Sequence, residues 1–80
     1  MKKIKVLYYA SMREQVGKNN ELMETQAHDA AQLFEFLREK YSIALSKDIL
    51  KVAVNNEFVS WKHPLKDGDE VVFIPPVSGG

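Results

Sequence analysis

The chain ends on Gly79-Gly80, and the reactive group at that end is the terminal carboxylate. Neither glycine has a side chain, and both can take almost any backbone conformation. Just before them runs Val71-Val72-Phe73-Ile74-Pro75-Pro76-Val77-Ser78, an apolar strand followed by two prolines. Proline has no N–H for a sheet ladder, so pairing is expected to stop near Pro75. A tail without bulk then leaves straight from a core strand, and its carboxylate is the leading candidate for chemistry. Other candidates are weak. His28 and His63 lie far apart without ligand-like spacing, which points to structural or surface roles. Asp67, Asp69 and Glu70 lack the alternating ligands and distal glutamate of an EF-hand, so Lys66-Asp67-Gly68-Asp69 reads as a turn.

The elements that must hold this tail come from eighty residues, enough for one small domain over 1–80, with 76–80 as a flexible extension. Eleven basic and eleven acidic residues cancel, which argues against a nucleic-acid binder. With no cysteine there is no disulfide, iron–sulfur cluster, thiolate zinc site or catalytic thiol. Lys2-Lys3 precedes an apolar run too short for a signal peptide, and no stretch nears the roughly 20 apolar residues of a membrane span. A soluble, cytoplasmic chain is expected.

Ile4 to Tyr9 reads as a strand with Ile4, Val6 and Tyr8 on the core face. Ser11-Met12-Arg13-Glu14 fits a capping box with Ser11 as N-cap, and Gly17 ends a helix of little more than one turn. Glu21 to Gln26 reads as a weaker strand with Leu22, and after it Met23, turned inward. Asp29 and Gln32 mark the start of the long helix, whose apolar stripe is Ala30, Leu33, Phe34, Leu37 and Tyr41; Phe36 falls off it. Ser42 to Asp48 is a connection with room for a turn of helix. Val52-Ala53-Val54 and Phe58-Val59 flank Asn55-Asn56-Glu57, a hairpin signal because Asn tolerates positive φ. Glu70 to Ile74 is the last strand. Five short strands and one long helix predict an α+β domain with the helix on one face of a mixed sheet.

With these residues in view, the chain resembles the small subunit of molybdopterin synthase (the MoaD family). The resemblance rests on Pro64-Leu65-Lys66-Asp67-Gly68-Asp69-Glu70-Val71 and on Phe73 through Gly80. Val6-Leu7-Tyr8-Tyr9-Ala10, Arg13-Glu14, Gly17 and Val54-Asn55-Asn56-Glu57 agree with it. It implies a ubiquitin-like β-grasp fold, with the first and last strands adjacent and parallel at the sheet centre. It also implies a sulfur carrier, one subunit of a transferase complex and not a complete enzyme alone. An E1-like enzyme of the MoeB type would adenylate Gly80 with ATP, and sulfide would displace AMP to leave a thiocarboxylate. The carrier itself would bind no cofactor or metal. It would deliver sulfur to a large subunit of the MoaE type, in a heterotetramer, to build the dithiolene of molybdopterin from cyclic pyranopterin monophosphate. Two alternatives share the diglycine. A thiamine-pathway carrier of the ThiS type is usually shorter and lacks the Pro-Pro-Val-Ser run, and a ubiquitin-like modifier would form isopeptide bonds.

The chemistry gives each tail residue a reason. A carboxylate is a poor electrophile until adenylation supplies a leaving group, and the acyl carbon must then reach another protein's active site. Val77, Ser78 and Gly79 would thread a narrow channel, and Pro75-Pro76 would stiffen its root. Ordering four such residues costs on the order of 1–2 kcal/mol each, more than their small surface easily offsets. The body must therefore dock as well, through roughly 800 Å² per partner. The sheet face away from the long helix has apolar residues for this purpose. Leu7, Tyr9, Phe58 and Ile74 are the candidates, with Pro75 and Pro76 beside them.

Overall fold

Strand β1 (Lys2–Tyr8) alternates buried Ile4, Val6 and Tyr8 with lysines and half-buried Leu7. That period of two is what a sheet with one covered face requires. The computed structural model describes residues 1–75 of the chain. After β1 come α1 (Ala10–Val16), β2 (Asn20–Thr25), α2 (Ala30–Tyr41), a 3-10 turn (Lys47–Ile49), β3 (Lys51–Val54), β4 (Glu57–Val59) and β5 (Glu70–Ile74). The sheet order is β2-β1-β5-β3-β4. β1 and β5 run parallel near the centre, and the other neighbours pair antiparallel. This is the ubiquitin-like β-grasp, an α+β fold in which α2 covers one face of the mixed sheet.

The long helix begins and ends where local chemistry dictates. Asp29 accepts from the Gln32 backbone N–H at 2.8 Å, and the Gln32 side chain accepts from the His28 N–H at 2.8 Å. A cap of this kind is worth ~1 kcal/mol. Ser42 closes the helix at φ 53, in the left-handed region. Ala30, Leu33, Phe34 and Leu37 are buried against Ile4, Val6, Tyr8, Val71 and Phe73, while Phe36 is exposed. Each large side chain so buried contributes ~1.5–3 kcal/mol.

Three local expectations need correction. α1 has Tyr9 as its N-cap with no side-chain capping bond, and Ser11 lies inside the helix. The helix starts directly at the strand end because Tyr8 and Met12 must both reach the core, and Ala10 makes that turn at φ 50. At seven residues α1 approaches two turns, and Gly17 closes it at φ 87. In β2 the inward residue is Met23, with Thr25, and Leu22 is the one that needs correction, at 72% exposed. Register explains this, since Ile4 pairs with Met23 and Lys5 with Leu22. Finally, β1 stops at Tyr8, so Tyr9 belongs to the turn into α1.

Candidate functional site: the uncovered sheet face and the root of the tail

The register places four residues from four strands in one row. Leu7 pairs with Val72, Val72 with Ala53, and Ala53 with Phe58. Paired residues share a face, and Phe73, Val71, Val52 and Val54 fill the opposite, α2-facing side. The row therefore crosses the face that α2 leaves uncovered. Val72 and Ala53 at its centre are 7% exposed each, and Phe58 at its end is 70% exposed. Ile74 follows Val72 on the same face and pairs with Lys51. Tyr9, two residues beyond Leu7, is 50% exposed with an extended backbone.

Charge on this face gathers toward the other end, with Lys51, opposite Ile74, as the exception. Lys3 lies opposite Glu24, and Lys5 opposite both Leu22 and Glu70. The apolar half is thus the half at which β5 ends and the chain departs. Among the sequence candidates, Leu7, Phe58 and Ile74 come together on this face with Tyr9 at its margin, and Pro75 is buried at the root. Pro76, Val77, Ser78, Gly79 and Gly80 lie outside the described residues.

β5 is held at both ends by groups that sequence patterns do not display. At its start, Asn55 Nδ2 donates to Asp69 Oδ1 at 2.9 Å, and Asn55 Oδ1 accepts from the Glu70 N–H at 3.0 Å. The other Asp69 oxygen accepts from the Lys66 N–H at 2.8 Å. On the β1 side, Asp67 accepts from the Lys3 N–H at 2.7 Å, and the Gly68 N–H donates to the Lys3 carbonyl at 2.8 Å. At its end, Phe73 stacks on Trp61 with centroids 5.9 Å apart and planes at 12°, and Phe34 packs against both rings. Three aromatic rings thus fix the residue two positions before Pro75. Trp61 is the chain's only tryptophan, and that singularity was the one sequence signal pointing to it.

A second network ties α2 to the sheet edge. The hydroxyls of Tyr8 and Tyr41 both donate to Glu21 Oε2, at 2.6 and 2.7 Å, with Lys18 3.5 Å from the other oxygen. Burial, followed by the adjacent Glu21 carboxylate, pushes the Tyr8 phenol well above its usual value. Burial pushes Glu21 upward too, but the two phenol donors and the lysine charges outweigh it and hold the carboxyl below its usual value.

The sequence matches the ThiS family over residues 6–80. It is 44% identical to the molybdopterin synthase sulfur carrier subunit of Escherichia coli (strain K12), covering 96% of this chain and 99% of that one. The fold superimposes on a chain of the complex of subunits 1 and 2 of the molybdopterin-converting factor from Helicobacter pylori 26695. The TM-score there is 0.68 at 26% identity, covering 98% of this chain and 99% of that one. Small archaeal modifier protein 1 from Haloferax volcanii gives 0.80 at 17% identity, over 96% of this chain and all of that one, a likeness of fold alone.

Proposed function

The chain belongs to the ThiS family, and from that premise we propose that it is the sulfur carrier subunit of molybdopterin synthase, in molybdenum cofactor biosynthesis. Its cargo is a thiocarboxylate on Gly80. An E1-like enzyme joins the Gly80 carboxylate to AMP with loss of pyrophosphate from ATP. Sulfide then attacks the acyl carbon and AMP leaves. The carrier docks on the large subunit of the synthase in the cytoplasm, and the Gly80 sulfur enters that subunit's active site to form the dithiolene.

One observation carries this reading. The apolar row from Leu7 to Phe58 crosses β5 at Val72, and Ile74, on the same face two residues on, is where β5 terminates. Docking this face therefore fixes the direction in which the tail sets out. Proximity of that kind converts an encounter between two proteins into a nearly intramolecular delivery. The stacked Phe73 and buried Pro75 hold the root of the tail in place.

The test is intact-mass spectrometry of the full chain after incubation with an E1-like enzyme, ATP and a sulfur source. Exchange of one oxygen for sulfur at Gly80, followed by molybdopterin formation on adding the large subunit and pterin precursor, is expected. Lysine conjugates without thiocarboxylate would instead support a protein modifier. A thiocarboxylate that the large subunit leaves unused would support a thiamine-type carrier.

A further inference from the structure

Phe73 is the last residue of β5 held from both sides. Its ladder partners are Tyr8 of β1 and Val52 of β3, whereas the ladders give Ile74 only Lys51 of β3. The direction in which the strand end points is therefore set at Phe73. Its ring is fully buried on the α2 side of the sheet, with Phe34 tilted at 58° against it and Trp61 stacked at 12°. These two neighbours differ. Phe34 is a core residue of α2, whereas Trp61 is partly buried and belongs to the turn after β4. That turn is strapped to the start of α2. The Ala31 N–H donates to the Trp61 carbonyl at 2.9 Å, and the Ala30 N–H to the His63 carbonyl at 3.2 Å. Both donors come from the first turn of the helix, where no partner exists within the helix itself.

With the Trp61 ring gone, both ladders of β5 and the Phe34 contact remain, so the sheet stays closed. What is lost is the flat surface that holds the Phe73 ring in one orientation, and with it a constraint on the strand end that leads to Pro75. Pro75 and Pro76 each have a fixed φ, so an error in direction at Phe73 is passed along the chain and not absorbed there. Sulfur delivery is sensitive to such an error, because it depends on bringing two reacting atoms together in one geometry. Docking is not, because Trp61 packs on the α2 side and the row from Leu7 to Phe58 lies on the other face. Resting on the delivery role given to Gly80 above, we propose that Trp61 is a positioning residue for sulfur transfer, its ring orienting Phe73 and through it the point at which the tail leaves β5.

The test sets affinity for the large subunit, by titration calorimetry, beside the single-turnover rate of sulfur transfer at saturating large subunit. Both use the full chain, loaded as the thiocarboxylate for the rate, and thermal melts monitor folding. Trp61→Leu is expected to bind within about twofold of the parent and to transfer sulfur about tenfold or more slowly. Trp61→Phe keeps a flat ring and is expected to recover most of the rate. Trp61→Met replaces Trp61→Leu should that variant fail to fold. A folded variant without the ring that transfers sulfur at the parent's rate overturns the proposal. So does a loss of affinity as large as the loss of rate, or a rate that follows the melting temperature and not the presence of a ring. If the parent itself forms a thiocarboxylate but delivers no sulfur to the large subunit, the functional reading fails and takes this proposal with it.

Discussion

Leu7 and Phe58 lie on strands three places apart in the sheet, yet they occupy one row, joined through Val72 and Ala53. The two central residues are already almost covered, and Phe58 is left projecting at the end. Energy available for docking is therefore concentrated at the rim of the row. Phe58→Asp should weaken the large-subunit complex by about tenfold or more, as loss of an exposed aromatic anchor does. It should change stability by less than about 0.5 kcal/mol, as expected for a side chain outside the core. Binding and denaturation measured on one preparation check both halves, and a lost fold with unchanged affinity would return Phe58 to the core.

Removal of the tail's last residue should separate chemistry from folding. Deleting Gly80 should leave the melting curve unchanged and abolish thiocarboxylate formation, because the new terminus falls one residue short of the activating site. Gly79→Val should still fold and lose sulfur delivery to the large subunit, since its side chain adds bulk where passage is narrow. Single-turnover sulfur transfer, set beside the thermal melt, distinguishes these outcomes from general damage.

Asn55 is expected to matter more than a turn residue usually does. Asn55→Ala removes the 2.9 Å bond to Asp69 and the 3.0 Å bond from Glu70, leaving the nearly buried Asp69 carboxylate short of a donor. A loss of ~1–3 kcal/mol is the scale for such a deletion. Asn55 also sits at φ 53, where Asn and Asp are tolerated better than Ala. Asn55→Asp therefore keeps the acceptor for Glu70 but sets a like charge against Asp69 in place of the donor, and its loss should ease at acid pH where that of Asn55→Ala does not. Urea denaturation of both variants provides the comparison.

Gly68 offers a case of backbone cost alone. It lies at φ 89, and a Cβ built there meets nothing within 4 Å. Gly68→Ala should therefore destabilise by ~1–2 kcal/mol without any clash, through the left-handed conformation by itself. A destabilisation well below that in urea denaturation would mean that the turn before β5 adapts.

The Tyr8–Glu21–Tyr41 network predicts opposite behaviour at the two ends of the pH scale. The folded-state value of Glu21 is lowered, because the phenols and lysines outweigh burial. Its contribution is thus present above the unfolded carboxylate value of about 4.3 and is lost as pH falls through the lower folded value. For Tyr8 the folded value is raised, by burial first and then by Glu21. That contribution is present below the unfolded phenol value of about 10 and is lost as pH rises above it. Glu21→Gln should flatten the acid limb of a plot of melting temperature against pH. An acid limb unchanged in that variant would show that the network does not govern acid stability.

Much of the framework was readable because it depends on near neighbours. The alternation of Ile4, Val6 and Tyr8, the Asp29 cap, the α2 stripe and the Asn55-Asn56 hairpin each need only a few adjacent residues. Leu22 was misplaced because its face is set by pairing with Lys5, not by its own neighbours. Ser11 failed as an N-cap for a related reason: the positions of Tyr8 and Met12 in the core override a local capping preference. Leu7, Phe58 and Ile74 were legible as surplus apolar residues, but their common end of the sheet emerges only from the register of four strands. The Asn55–Asp69 clasp and the Trp61–Phe73 stack link residues 12 to 14 apart through side chains, which no periodicity encodes.

β5 is the last strand in the sequence and the middle one in the sheet. Without it, β1–β2 and β3–β4 are two hairpin halves with no ladder between them. During synthesis the sheet therefore stays open until residues 70–74 have emerged, so closure is a late event dominated by distant contacts. A chain broken off early has neither the closed body that a partner would grip nor the strand that leads to the tail. Completion of the sheet and completion of the segment leading to the tail are therefore the same event.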